Sequence, residues 1–248
     1  MSILKWILII LAAIYLFAPV FYGILLLLSA VFMHPKKKPE KNSRLAWFII
    51  HGVSWVIVHY SGLVLKSEIK PEQIPSGRFL IVSNHRSNFD PFVLFCLLSR
   101  YEPAFICKRE VLASKVLGPV LKRCFFLEID RENPKNAIMT INEAADLIRT
   151  DLASVGVFPE GTRSRATGEL LPFHDGVFKI AKKSGCPILV ISMDGTQNGG
   201  KNMFRRFTPV RLRIADCLDP ETVHNLSTSL IGERVRQSLE KSLSEEAE

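Results

Sequence analysis

"RFLIVSNHRSNFDPFVLFCLLSR", Arg78 to Arg100, changes character twice. Phe79 to Val82 is an unbroken apolar run, the pattern of a strand buried on both faces in a parallel sheet. Ser83 to Asp90 is polar. From Pro91 the chain turns apolar again, and Asp90 before Pro91 reads as a helix start, an Asp N-cap with Pro at the first helical position. Strand, polar loop and helix make the first half of a βα unit. Capping accounts for Asp90 alone; it does not explain His85, or the polar set Asn84, Arg86, Ser87 and Asn88. Loops at the C-terminal ends of parallel strands are where α/β domains bind ligands. A histidine there, with a carboxylate five positions on, has one ring nitrogen to be held and the other to take a proton.

The alternation continues downstream. "PAFICKRE" reads as a strand, "VLGPVLKRC" as a short helix and "FFLEIDR" as a strand. In "NPKNAIMTINEAADLIRTD", Ala137, Ile138, Ile141, Ala144, Ala145 and Ile148 fall at helical spacing. "ASVGVFPEG" is a strand ending in a turn, "DGVFKIAKKSG" a helix closed by Gly185. "PILVISMDG" and "VRLRIADCL" are strands, and "ETVHNLSTSLIGERVRQSLEKSLSEEAE" is a polar C-terminal helix expected to fray. The fold class is therefore α/β, a mostly parallel sheet flanked by helices. Further strand ends carry charge: Lys108 in "ICKRE", Arg131 in "EIDRENP", and Glu160 and Arg163 in "VFPEGTRSR". In a parallel sheet these ends share one rim with His85. Arg163 and Arg165 suit a phosphate through forked hydrogen bonds, and Gly161 lets backbone approach a ligand closely. Such a rim fits a substrate with a phosphate and a group to be deprotonated.

Upstream the chain is different. Trp6 to Met33 is 28 residues without a charge. As one helix it would measure about 42 Å, against a hydrocarbon core of about 30 Å. It spans with tilt, or Pro19 and Gly23 break it into two helices that dip into one leaflet. It is too long for a cleaved signal peptide and lacks a small-x-small cleavage site. Lys36, Lys37, Lys38, Lys41 and Arg44 follow at once, a flank that stays cytoplasmic and sits against anionic headgroups. Leu45 to Leu65 is a second uncharged run, wetter than the first, expected as a helix on or in the membrane surface or packed under the soluble domain. The organisation is thus an anchoring helix or helical hairpin with its basic flank (1–44), a second apolar helix (45–65) and the α/β domain (66–248).

The formal charge of +8 calls for an anionic partner surface. With no helix-turn-helix, zinc-finger or aromatic RNA-binding signature, a membrane explains it and nucleic acid is not expected. Five cysteines, none in a C-x-x-C pair, read as free thiols in a reducing compartment, not as a disulfide frame or a zinc site.

In this order, "NHRSNFD", "IDR", "FPEGTRS" and "PILVIS" resemble the glycerolipid acyltransferases, most nearly the bacterial 1-acyl-glycerol-3-phosphate (lysophosphatidate) acyltransferases. The resemblance runs from about Phe79 to Ile191 and includes the anchoring N-terminus. The H-x-x-x-x-D and F-P-E-G-T-R blocks, about seventy residues apart, are far more specific together than either alone. The resemblance implies His85 and Asp90 as the catalytic pair and Lys108, Arg131, Glu160, Gly161, Thr162 and Arg163 as substrate-binding residues. Asn84, beside the histidine, is expected among the substrate contacts too. One block departs: "CPILVI" has Val190 where the family usually has a second proline.

The activity implied is transfer of an acyl chain from acyl-CoA or acyl-carrier protein to the sn-2 hydroxyl of lysophosphatidate, at the cytoplasmic face of a phospholipid bilayer. His85 is the expected general base and Asp90 its orienting acid, with no acyl-enzyme, no metal and no bound cofactor. Three alternatives stand: another lysophospholipid as acceptor, a lipid hydrolase using Ser83 or Ser87, and a lipid-binding module without catalysis.

Overall fold

The computed structural model describes residues 3–33, 39, 41–130, 133–164, 169–200 and 207–245. In chain order these form α1 (Ile3–Phe32), α2 (Arg44–Tyr60), β1 (Leu63–Ser67), β2 (Leu80–Ser83), α3 (Asp90–Leu97), β3 (Pro103–Cys107), α4 (Arg109–Ala113) and α5 (Gly118–Arg123). There follow β4 (Leu127–Glu128), α6 (Pro134–Arg149), β5 (Ser154–Val157), α7 (Lys179–Ser184), β6 (Ile188–Asp194), β7 (Thr208–Leu218), α8 (Pro220–Asn225) and α9 (Thr228–Ser244).

The seven strands make one sheet in the order β1-β7-β6-β2-β5-β3-β4. β6, β2, β5, β3 and β4 run parallel, and β7 is antiparallel to β6. The expected mostly parallel sheet is present, and the C-terminal ends of β2, β3, β4 and β5 lie on one edge. Alternation sorts each strand between two cores. Leu80 and Val82 face the layer of α6, α7 and α9; Phe79 and Ile81 face that of α2, α3 and α5. Burial on both sides is why β2 reads as an unbroken apolar run. Each such side chain contributes about 1.5–3 kcal/mol.

Three expectations change. First, Leu63 to Leu65 is not helix. α2 ends at Tyr60, and Leu63–Ser67 turns into β1, parallel to β7. Second, the C-terminal segment is a docked element: α8 and α9 break at Leu226, and Ile231, Val235 and Leu239 of α9 are fully buried. Their spacing of four puts all three on one face, against β6 and β7. Third, α6 begins where expected, capped by Asn133, but Ile138 is exposed and Leu147 takes a core place.

α1 is a single helix through Pro19, long and apolar enough to cross a membrane. Most of its large side chains are exposed, a surface that water does not favour. It leans on α2 through aromatic contacts: Tyr15 stacks on Tyr60 with centroids 4.8 Å apart and meets Trp55 edge-on. α2 has the packed alternative among those expected for it. Ala46, Trp47, Ile49, Ile50, Ser54 and Val58 are buried on the core that holds α3.

Candidate active site

β2 ends at Ser83, and the next residues turn across the rim of the sheet. His85 Nδ1 lies 2.8 Å from Asp90 Oδ2. The same carboxylate oxygen accepts the backbone N–H of Arg86 at 2.7 Å and of Ser87 at 2.8 Å. Oδ1 accepts the Thr196 hydroxyl at 2.5 Å. Asp90 is wholly buried, so these donors replace the water it has lost. Only its place in the helix differs from the one expected: Phe89, not Asp90, is the N-cap of α3, and the Asp90 side chain folds back onto its own loop. With Nδ1 taken by the carboxylate, Nε2 is the nitrogen left to exchange a proton. Phe158 stacks on the imidazole, centroids 4.3 Å apart, and fixes the plane of the ring.

The second loop follows β5. Gly161, at φ +68, closes a turn with its N–H on Phe158 O at 3.0 Å. Glu160 is only 3% exposed. One carboxylate oxygen accepts His85 N–H at 2.7 Å and the other Leu171 N–H at 2.9 Å. Burial pushes the Glu160 carboxyl up from its ordinary value, against the pull of these two N–H groups. The loops are also stitched backbone to backbone, Ser164 N–H to His85 O at 2.8 Å.

Between the loops and the helices over them lies a cavity of about 390 Å³. His85, Lys108, Gly161, Thr162 and Arg163 line it, so the structure brings these expected residues together. Its remaining wall is largely apolar: Pro91, Phe92 and Phe95 of α3, Ile50 of α2, Leu121 of α5, and Phe105 and Phe126. Cys107 also lines it, but burial and then the charge of Glu128 push its thiol up to about 12, so it is no nucleophile near neutral pH.

Two expected contacts turn elsewhere. Asn84 is 1% exposed and aims into the fold: its amide donates to Met193 O at 2.8 Å and accepts Met193 N–H at 2.9 Å. A side-chain amide matches a peptide group, so the buried residue ties β2 to β6 and does not line the cavity. Glu160 likewise holds backbone and does not line the cavity. Arg131 and Arg165 lie outside the described residues. The two serines weighed as nucleophiles are engaged as well. Ser83 is buried with its hydroxyl on Asn84 O, and Ser87 Oγ accepts Phe89 N–H at 3.2 Å.

Sequence reading missed Thr196. Its signal was Gly195 at the end of β6, the strand beside β2. Gly195 sits at φ +98, where a Cβ would come 2.1 Å from Pro209 O, so only glycine makes the turn that delivers Thr196 to Asp90. Arg86 braces the same turn through Asp194 at 2.5 Å.

A histidine–carboxylate pair at the carboxyl rim of a parallel sheet, opening on an apolar cavity edged with cations, is the class that fold and site define. The Acyltransferase family model matches residues 66–194, and the chain belongs to that family. A 1-acyl-sn-glycerol-3-phosphate acyltransferase of Limnanthes douglasii is 31% identical over 176 residues, 71% of this chain and 61% of the relative. The alpha form from Bos taurus is 33% identical over 168 residues, 66% of this chain and 58% of its own length. The chain thus spans about three fifths of these relatives. The crystal structure of the LPA acyltransferase PlsC from Thermotoga maritima superposes with a TM-score of 0.66 at 23% identity, over 96% of this chain and 95% of that one, and shares the fold.

Proposed function

We propose that this protein transfers an acyl chain from a thioester donor, acyl-CoA or acyl-carrier protein, to the sn-2 hydroxyl of 1-acyl-glycerol-3-phosphate, giving phosphatidic acid. The observation that carries this reading is the His85–Asp90 pair, 2.8 Å apart, on a cavity also lined by Lys108 and Arg163. The names of the relatives supply the acceptor.

Asp90 holds the imidazole with its proton on Nδ1 and steadies the imidazolium that forms. Nε2 removes the proton of the acceptor hydroxyl as its oxygen attacks the thioester carbonyl. When the tetrahedral intermediate collapses, the C–S bond breaks and the thiolate takes that proton back from the imidazolium. The thioester is already activated, so no covalent acyl-enzyme is needed. Arg163 and Lys108 take the acceptor phosphate, whose charge of about −1.5 to −2 is prohibitive to bury without cations. The apolar wall takes the acyl chain. α1 anchors the protein in the bilayer, with the α/β domain on the cytoplasmic side, where the thioester donors are.

Purified protein in phospholipid vesicles, given radiolabelled acyl-CoA and a panel of lysolipids, tests the reading by product. The expected product is labelled phosphatidic acid, formed only with lysophosphatidate present. Label released as free fatty acid without acceptor, or transferred by preference to a lysolipid with a diester headgroup, overturns it.

A further inference from the structure

The family match ends at Asp194, yet a residue far beyond it reaches the segment that hydrogen-bonds Glu160. Arg236, in the middle of α9, gives its guanidinium to the segment 169–174, which has no regular secondary structure. Nη2 donates to Leu170 O at 2.9 Å and Nη1 to Leu171 O at 3.0 Å. Nε pairs with Glu240 at 2.8 Å, and the guanidinium carbon stands 5.6 Å from the centroid of the Phe173 ring. The line then continues inward. Leu171 N–H donates to Glu160 at 2.9 Å, and the other oxygen of Glu160 accepts His85 N–H at 2.7 Å.

We infer that Arg236 is a positioning residue for His85, acting through the Leu171 peptide and the Glu160 carboxylate. The inference rests on the acyl transfer proposed above. A plain structural pin is the competing account, and α9 does not need one. Ile231, Val235 and Leu239 are fully buried, Ser242 shares a 2.6 Å hydrogen bond with Ser192 of β6, and Arg234 pairs with Asp216 of β7 at 2.8 Å. What Arg236 adds is a fixed position for two peptide groups that no helix or strand orders. If they drift, Glu160 loses a donor, and the backbone that carries the imidazole loses the carboxylate that holds it. Displacement of about 1 Å at a reacting group costs up to about a hundredfold in rate.

The test compares Arg236→Ala, Arg236→Lys and Glu240→Gln with the wild-type full-length protein in vesicles, by steady-state kinetics and amide hydrogen exchange. Arg236→Ala is expected to lower kcat about tenfold to a hundredfold, with KM for donor and acceptor within about twofold. Exchange should quicken in the peptides holding His85 and Leu171 and stay unchanged in β6 and α9. Arg236→Lys, which keeps the charge and can reach one carbonyl, recovers part of the rate. Glu240→Gln, which loses only the pair on the helix surface, keeps the wild-type rate. If Arg236→Ala does not fold, Arg236→Lys carries the test, with lowered kcat over an intact α9. Unchanged kcat, loss of rate in step with loss of α9 protection, or no recovery with lysine overturns the inference. An inactive wild type strikes the acyl-transfer reading instead, and exchange at His85 then decides the relay by itself.

Discussion

The two loops that build the site are held in opposite ways. The loop after β2 closes on itself: Oδ2 of Asp90 gathers His85 Nδ1 and the N–H groups of Arg86 and Ser87, all within five positions. The loop after β5 is held from outside, through Leu171 eleven residues on and Arg236 on the last helix. The first loop carries the histidine–carboxylate pair; the second holds the backbone N–H of His85 through Glu160. A short polar stretch can therefore be chemically complete and still depend on distant parts of the chain for its placement.

The largest expected effect removes the imidazole. His85→Ala should lower kcat by about 10²–10⁴, the usual contribution of a positioned general base. Asp90 keeps its two backbone donors and Thr196, so the loop should keep its shape, and far-ultraviolet circular dichroism and vesicle binding should match the wild type. Transfer at the wild-type rate refutes the role of His85. A variant that fails to fold shows instead that the loop is not closed by its backbone bonds, and the contrast between the loops breaks.

Thr196→Val probes the long reach from the turn after β6 to the Asp90 carboxylate. Valine has nearly the shape of threonine but no hydroxyl to donate, so a buried carboxylate oxygen loses its partner. Leaving such a group unsatisfied costs about 1–3 kcal/mol, read as a lower urea midpoint. The rate should fall about tenfold as the orienting acid loosens, the size of effect expected when a supporting hydrogen bond of about 1.4 kcal/mol is lost. Wild-type stability and rate in this variant would show that Asp90 holds the imidazole without Thr196.

The difference between the loops is also the difference between what the sequence makes legible and what it hides. β2, the His85–Asp90 pair and the cationic rim depend on neighbours in sequence, and spacing exposes them. Lys108, Gly161, Thr162 and Arg163 fall at strand ends, and a parallel sheet leaves those ends only one edge to share. Asn84 was misassigned because a polar residue at a strand end looks the same whether it faces a ligand or a neighbouring peptide. Only the position of Met193 distinguishes the two. β1 was hidden because Leu63 and Val64 prolong the apolar run of α2, with the Ser61–Gly62 turn as the sole sign of a break. In α9 the spacing of Ile231, Val235 and Leu239 was readable, but Arg236 on the same helix gives no hint that its partners are two carbonyls near the active site.

The smallest expected effect concerns the charge that Glu160 carries in the second loop. In the unfolded chain its carboxyl titrates near its ordinary value of about 4.5, and in the folded protein burial raises it. Between those two values the folded state binds the proton more strongly than the unfolded state. Stability therefore falls as pH rises through that window and is level on either side of it. Glu160→Gln has no proton to lose there, though it gives up one of the two acceptor contacts. The difference in unfolding free energy, wild type minus variant, should thus decline from acid toward neutral pH in urea titrations, and then stay constant. A difference that grows over the same range means that the N–H groups of His85 and Leu171 outweigh burial. Glu160 would then be clamped as firmly as Asp90, and the two loops would differ only in how far away their partners lie.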